Sequence, residues 1–277
     1  MNENDFISQC FKEFHRFDLN QPANRDFYLH LLNNPDVIGL SEAELAGKSQ
    51  QKRIEMVVGE YCAQIGLMVN KLAGDLLFDS RWGDSESEWF DHRLHLLDPD
   101  KWFTDFWAAS ADNIIGVLPL GGKLLNLCSG DGFYDYYFYR KRAGEIISVE
   151  LNQEALDHAR RLHSAPNIKY IQGNVLTFDP PDSYFDVVMI RGAIEHFDQQ
   201  GQHIIMQKDA KALKSGGWFC GDTPARRENN QKHLSLHEFE WADEREMKQE
   251  LGSVFRHIET GTLVSEKVTT LFWRCRK

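Results

Sequence analysis

The sequence predicts an α/β fold in which a mostly parallel sheet closes in an antiparallel hairpin and is preceded by a helical region. The first observation behind this is residues 124–139, LLNLCSGDGFYDYYFY. Leu124, Leu125 and Leu127 form an apolar run with the length of a buried parallel strand. Cys128-Ser129-Gly130-Asp131-Gly132 then supplies a turn of small residues that a ligand can approach closely. Phe133, Tyr134, Tyr137 and Phe138 follow at helical spacing. The second observation is alternation: apolar runs at 146–149, 168–171, 185–190 and 218–221 are interleaved with helical patterns at 152–163 and 202–213, the order of a parallel sheet. The third is the tail, where 254–264 and 267–275 read as two strands joined at Ser265-Glu266.

In chain order, the first third is helical. Phe6, Cys10, Phe11 and Phe14 share one face of an opening helix, and residues 27–32 suggest another. Ser41 with Glu44 makes a capping box in front of a long helix. Ile54, Val57, Val58, Tyr61, Ile65, Met68, Leu72 and Leu76 hold that helix's apolar stripe, expected to pack on other helices. Residues 75–88 are polar and turn-rich, as in a linker. Asp98-Pro99 opens a helix over 101–118 carrying Trp102, Phe103, Phe106 and Trp107, which Pro119 and Gly121-Gly122 end. Residues 1–118 are thus expected to form the helical region and 119–277 the sheet domain. The aromatic run at 89–107 enters directly before the first strand, where it is expected to close over the carboxyl ends of the strands and shape a substrate pocket. Residues 241–251 read as a last helix.

A strand, a glycine-containing turn and a helix form the entry to a nucleotide-type site. About twenty residues on, Ile146-Ile147-Ser148-Val149 ends on Glu150, the place of an acid that takes ribose hydroxyls. The dinucleotide fingerprint is incomplete: Cys128 stands for its first glycine and Asp135 for its third. Asp131 adds a negative charge at the helix start, where it repels a pyrophosphate. It does not repel S-adenosylmethionine, which carries a sulfonium and an ammonium.

At these residues the chain resembles the class I S-adenosylmethionine-dependent methyltransferases. Two positions depart from that family's first motif: Asn126 stands where the acid is usual and Cys128 replaces a glycine. The resemblance extends through Gly173-Asn174-Val175 after the third strand, Arg191 to Phe197 after the fourth, and Lys214-Ser215-Gly216-Gly217 before the fifth. It implies a Rossmann-like, mostly parallel seven-stranded sheet. It also implies S-adenosyl-L-methionine as cofactor, bound by Asn126, Cys128, Ser129, Gly130, Asp131, Gly132, Glu150, Leu151, Asn174, Val175 and Arg191. Arg93 is a candidate for the methionyl carboxylate, alternatively a partner of Asp91.

Composition narrows the partners. A net charge of -11 and a pI near 5.5 argue against nucleic acid as substrate. No apolar run approaches a membrane span. The start, MNENDFISQCFKEF, does not read as a signal peptide. Five cysteines without C-x-x-C pairs fit reduced thiols and a cytoplasmic location. His92, His95, His196, His233 and His237 lack a helical ligand pair beside an acid, so no metal is expected.

The expected activity is methyl transfer to a small-molecule acceptor with an oxygen, nitrogen or carbon nucleophile. For a hydroxyl acceptor a base helps; His196 leads by position, with His233 and His237 behind it. Alternatives are a non-catalytic cofactor-binding or regulatory protein and a methyltransferase acting on protein. The acceptor and the oligomeric state stay open.

Overall fold

The computed structural model describes residues 21–81, 89–97, 104–227, 229–265 and 268–277. The expected opening helix at residues 6–14 and the Asp98-Pro99 helix start lie outside the described residues. The chain divides into two compact units, residues 1–83 with 96–98, and residues 84–95 with 99–277.

In the first unit, α1 (Pro22–Asn33), a 3-10 turn (Pro35–Ile38), α2 (Glu42–Leu45) and α3 (Gln50–Arg81) are described. Leu31, Ile38, Leu40, Val57, Tyr61 and Ile65 form its core, with the Phe27 and Tyr28 rings set edge-on against Tyr61. The Ser41–Glu44 capping box is present but caps the four-residue α2, not the long helix. Gly47, in the left-handed region at φ 71°, lies between α2 and α3, which starts afresh at Gln50. α3 runs through to Arg81, so the expected linker begins later than residue 75. Val57, Tyr61 and Ile65 of its stripe are buried, whereas Met68 is 58% and Leu76 39% exposed.

A short helix α4 (Leu94–Leu97) precedes α5 (Thr104–Ile115), which leads into the sheet. The sheet elements are β1 (Gly122–Leu127), β2 (Ala143–Glu150), α6 (Gln153–Leu162), β3 (Ile168–Gln172), β4 (Phe185–Arg191), α7 (Gln199–Ala212), β5 (Leu213–Pro224), α8 (Glu244–Gly252), β6 (His257–Val264) and β7 (Thr269–Arg276). They form one seven-stranded sheet in the order β3-β2-β1-β4-β5-β7-β6. β1 to β5 run parallel; β7 lies antiparallel between β5 and β6. This is the expected Rossmann-like sheet with its antiparallel end. The chain order reverses between β1 and β4, which opens a crevice at their carboxyl ends.

Successive residues of the central strands point to opposite faces. Leu124, Ile146, Val187 and Met189 pack with Ala111, Ile114 and Leu118 on one face. Leu125, Val188 and Ile190 pack with Ile205, Met206, Met247 and Trp273 on the other. The sheet unit therefore reaches further toward the N-terminus than the expected start at 119, because α5 is part of its core.

The helix expected after the β1 turn is present but short, and it is π-type over Asp135–Tyr139, where Arg140 N–H reaches back five residues to the Asp135 carbonyl. The rings of Phe133, Tyr134, Tyr137 and Phe138 that suggested the helix pack on one another there, with centroids 4.6–6.0 Å apart.

Candidate active site

The turn after β1 is held by its own backbone. Ser129 N–H donates to the Val149 carbonyl of β2, and Gly132 N–H donates to the Ser129 carbonyl. Cys128, Gly130 and Gly132 all sit in the left-handed region, at φ 54°, 53° and 68°. Two glycines do different work. A Cβ at Gly132 would lie 2.2 Å from the Tyr170 hydroxyl, so bulk there breaks the packing; one at Gly130 meets nothing within 4 Å. The turn thus presents an open surface at Gly130. Its rim is Glu150, whose carboxylate accepts from Gly130 N–H at 2.9 Å and from Asn152 N–H at 2.8 Å. Leu151 beside it is 62% exposed. Asn174 is exposed, with its side-chain oxygen accepting from Leu176 N–H at 2.9 Å; Val175 is buried.

The carboxyl ends of β4 and β5 close the other side of the crevice. The Arg191 guanidinium lies 3.5 Å over the Tyr134 ring and pairs with Asp222 at 3.1 Å and the Ser110 hydroxyl at 2.6 Å. Phe106, Trp107, Gly192, Asp222, Thr223 and Pro224 line a cavity of about 160 Å³ here. Thr223 hydroxyl donates to the Glu195 carboxylate at 2.9 Å. His196 and His237 rings meet edge to face, centroids 4.8 Å apart, and His237 Nδ1 bonds Glu240. Burial pushes the Glu195 carboxyl up to about 8 against the Thr223 bond. Burial, together with His237, pushes His196 down.

Residues 124–217 match a family model described as a methyltransferase domain. Over that stretch the chain is similar to methyltransferase domains. Solved structures share its fold. One is a complex between the Haloferax volcanii Trm112 methyltransferase activator and the putative methyltransferase, at 18% identity and TM-score 0.53, covering 64% of this chain and 93% of that one. Another is a putative methyltransferase from Bacillus halodurans, at 12% identity and TM-score 0.51, covering 61% of this chain and 98% of that one. A third is Haemonchus contortus phosphoethanolamine N-methyltransferase 2 in complex with S-adenosyl-L-methionine, at 14% identity and TM-score 0.53, covering 63% of this chain and 52% of that one. At these identities the likeness is one of fold. No curated relative matches the chain.

Beneath the turn after β1 lies a buried polar group. Asn126 amide donates to one oxygen of Asp135 at 2.9 Å, and Ser148 hydroxyl donates to the other at 2.6 Å. This accounts for asparagine where the family has an acid: a second carboxylate at 126 would face Asp135 with like charge. Burial still pushes the Asp135 carboxyl up to about 7, against both hydrogen bonds.

Asp131 does not face the crevice as a free charge. It is 1% exposed and accepts from His92 N–H at 2.9 Å and Phe133 N–H at 3.1 Å, with His92 Nδ1 3.0 Å away. Burial raises its pKa, but His92 outweighs that and holds it below the ordinary value. Arg93 grips the fully buried Asp91 with two bonds of 2.9 and 2.6 Å, which is the alternative to binding a free carboxylate. Segment 89–93 is therefore anchored directly on the turn.

Sequence reasoning missed Ser110, Asp135, Asp222 and Glu240. Ser110, Asp135 and Asp222 act through partners distant in sequence, and Glu240 through His237 three residues before it in a segment with no regular spacing. The single available signal was polar residues set among apolar neighbours.

Proposed function

We propose that the domain transfers a methyl group from S-adenosyl-L-methionine to a small-molecule acceptor. The observation that carries this is the open surface at Gly130 bordered by the Glu150 carboxylate, a cradle that a Cβ would begin to fill. Ser129 Oγ, buried and without a partner among the described residues, fits a ligand there as well. Bound, the cofactor supplies a methyl group already activated by its sulfonium. In this reading Ser129, Gly130 and Glu150 hold the ribose and methionyl side, and Leu151, Asn174 and Val175 border the adenine. Asn126, Cys128, Asp131 and Gly132 shape the turn from behind, and Arg191 fixes the β4 side. His196 stands at the acceptor end, beside the cavity of about 160 Å³, a volume suited to a small acceptor. The free thiols at Cys62, Cys128, Cys220 and Cys275 support a reducing, cytoplasmic setting, and no described helix is long and apolar enough to cross a membrane.

Calorimetry with S-adenosylhomocysteine and NAD side by side tests the cofactor class, and only the former should bind. Glu150→Ala should cost about 1.5–3 kcal/mol of that affinity, as for a hydrogen bond to a charged group. A loss below a few tenths would put the ribose elsewhere.

Residues 89–93 we read as a cover, because His92 binds the turn itself. Methyl transfer gains from excluding water. Added S-adenosylhomocysteine should slow amide hydrogen exchange in 89–93 together with 124–132. Protection confined to 124–132 would rule the cover out.

A further inference from the structure

Two loops leaving adjacent parallel strands bring three ligating side chains to one point. Glu195 and His196 follow β4, and His237 belongs to the segment after β5. One ligand atom of each lies within 4.8 Å of the other two. Glu195 is 2% exposed, His237 3% and Glu240 1%. Among the described residues, neither Glu195 nor Glu240 is ion-paired with a lysine or arginine. Buried carboxylates without a cation are costly.

Glu240 shows how the group is poised. One of its oxygens accepts from His237 Nδ1 and from His233 N–H. A carboxylate at Nδ1 fixes the proton there and leaves Nε2 with a free lone pair. The other Glu240 oxygen is buried and has no partner among the described residues. A histidine oriented by an outer carboxylate, beside a second histidine and an inner carboxylate, is the donor set of a borderline transition ion.

We propose that Glu195, His196 and His237 bind a divalent first-row transition-metal ion, with Glu240 orienting His237. Two imidazoles favour zinc or iron(II) over magnesium. Three protein ligands leave further coordination positions open. Thr223 donates to Glu195 and also lines the cavity of about 160 Å³, so the ion borders the acceptor space. His196 then serves as a ligand and not as a free base. Resting on the methyltransferase reading, the acceptor class is a molecule with a hydroxyl oxygen. Such an oxygen takes an open position on the ion and loses its proton to water at neutral pH.

The test uses the full chain, stripped with a chelator, and titrates Zn²⁺ by calorimetry and Co²⁺ by its visible absorption. One ion per chain should bind, with Mg²⁺ at least about 100-fold weaker. Glu195→Gln and His237→Gln should each abolish the Co²⁺ bands and weaken Zn²⁺ about 100-fold or more. Glu240→Gln should weaken it about 10–100-fold, as outer-shell partners do, and alter the Co²⁺ spectrum. His257→Gln, at the surface histidine paired with Glu259, should change nothing. Absent Co²⁺ bands in the unmodified chain, or a Zn²⁺ isotherm indifferent to both Glu195→Gln and His237→Gln, would overturn the site. S-adenosylhomocysteine binding is read on the same samples. Zn²⁺ binding without it removes the methyl-transfer reading and keeps the ion; the converse removes the ion alone.

Discussion

Gly130→Leu should abolish S-adenosylhomocysteine binding, raising Kd by more than about 100-fold, while the fold persists. The residue's φ of 53° costs a leucine on the order of 1–2 kcal/mol, a loss a domain of this size survives with a melting temperature lower by roughly 2–8 °C. Nothing in the protein opposes the new side chain at its root, since a Cβ there meets no atom within 4 Å. What it fills is the open surface beside the Glu150 carboxylate. Gly132→Ala provides the contrast. Its φ is also positive, but its Cβ would lie 2.2 Å from the Tyr170 hydroxyl, so it should lower stability first and binding only as a consequence. Calorimetry paired with thermal unfolding separates the two. Intact affinity in a folded Gly130→Leu protein would remove the turn from the site.

That contrast between two glycines two positions apart was not legible in the sequence, where both are simply small residues in a turn. The strands were legible for a physical reason: parallel strands covered on both faces read as short, nearly continuous apolar runs, and 185–190 shows it in FDVVMI. The turn and Glu150 were legible because their spacing is imposed by one local unit of strand, turn and strand. Local reading fell short where the type or extent of an element depends on packing. Phe133 to Phe138 carry a helical spacing and do form a helix, but a short one that is π-type from Asp135, which spacing does not mark. Ser41 caps a helix, but Gly47 intervenes before the long one begins. At the carboxyl end of β4, His196 was visible as a titratable residue after a strand. His237 was visible as a second candidate, but Glu240 and the contact between the two histidines were not, because His237 and Glu240 belong to the segment after β5 and only the register of β4 on β5 brings them to His196. The same holds for Arg191: its partner Asp222 sits directly across the β4–β5 ladder, while Ser110 comes from α5.

Asp135→Asn should stabilise the protein in alkaline solution and leave it unchanged in acid. Burial raises the folded-state pKa of this carboxyl from 3.8 to about 7. Below about pH 3 both folded and unfolded chains carry the proton, so the group contributes no pH dependence. Between pH 4 and 7 the unfolded chain releases the proton and the folded chain keeps it. The folded state then binds more protons, and its stability falls as pH rises. Above pH 7 both states are ionised, and the penalty of a buried charge is constant. Asparagine mimics the protonated acid: its oxygen accepts from the Asn126 amide, and its amide donates to Ser148 Oγ, whose hydroxyl turns to accept. The stability difference between the two proteins should therefore be near zero at pH 3, grow through pH 5 and 6, and level off at about 3–5 kcal/mol by pH 8. Denaturant unfolding of both proteins across that range measures it. A difference that stays flat with pH would show that Asp135 is ionised in the folded protein throughout. In that case the Asn126 and Ser148 hydrogen bonds alone would suffice to hold a buried charge beneath the turn.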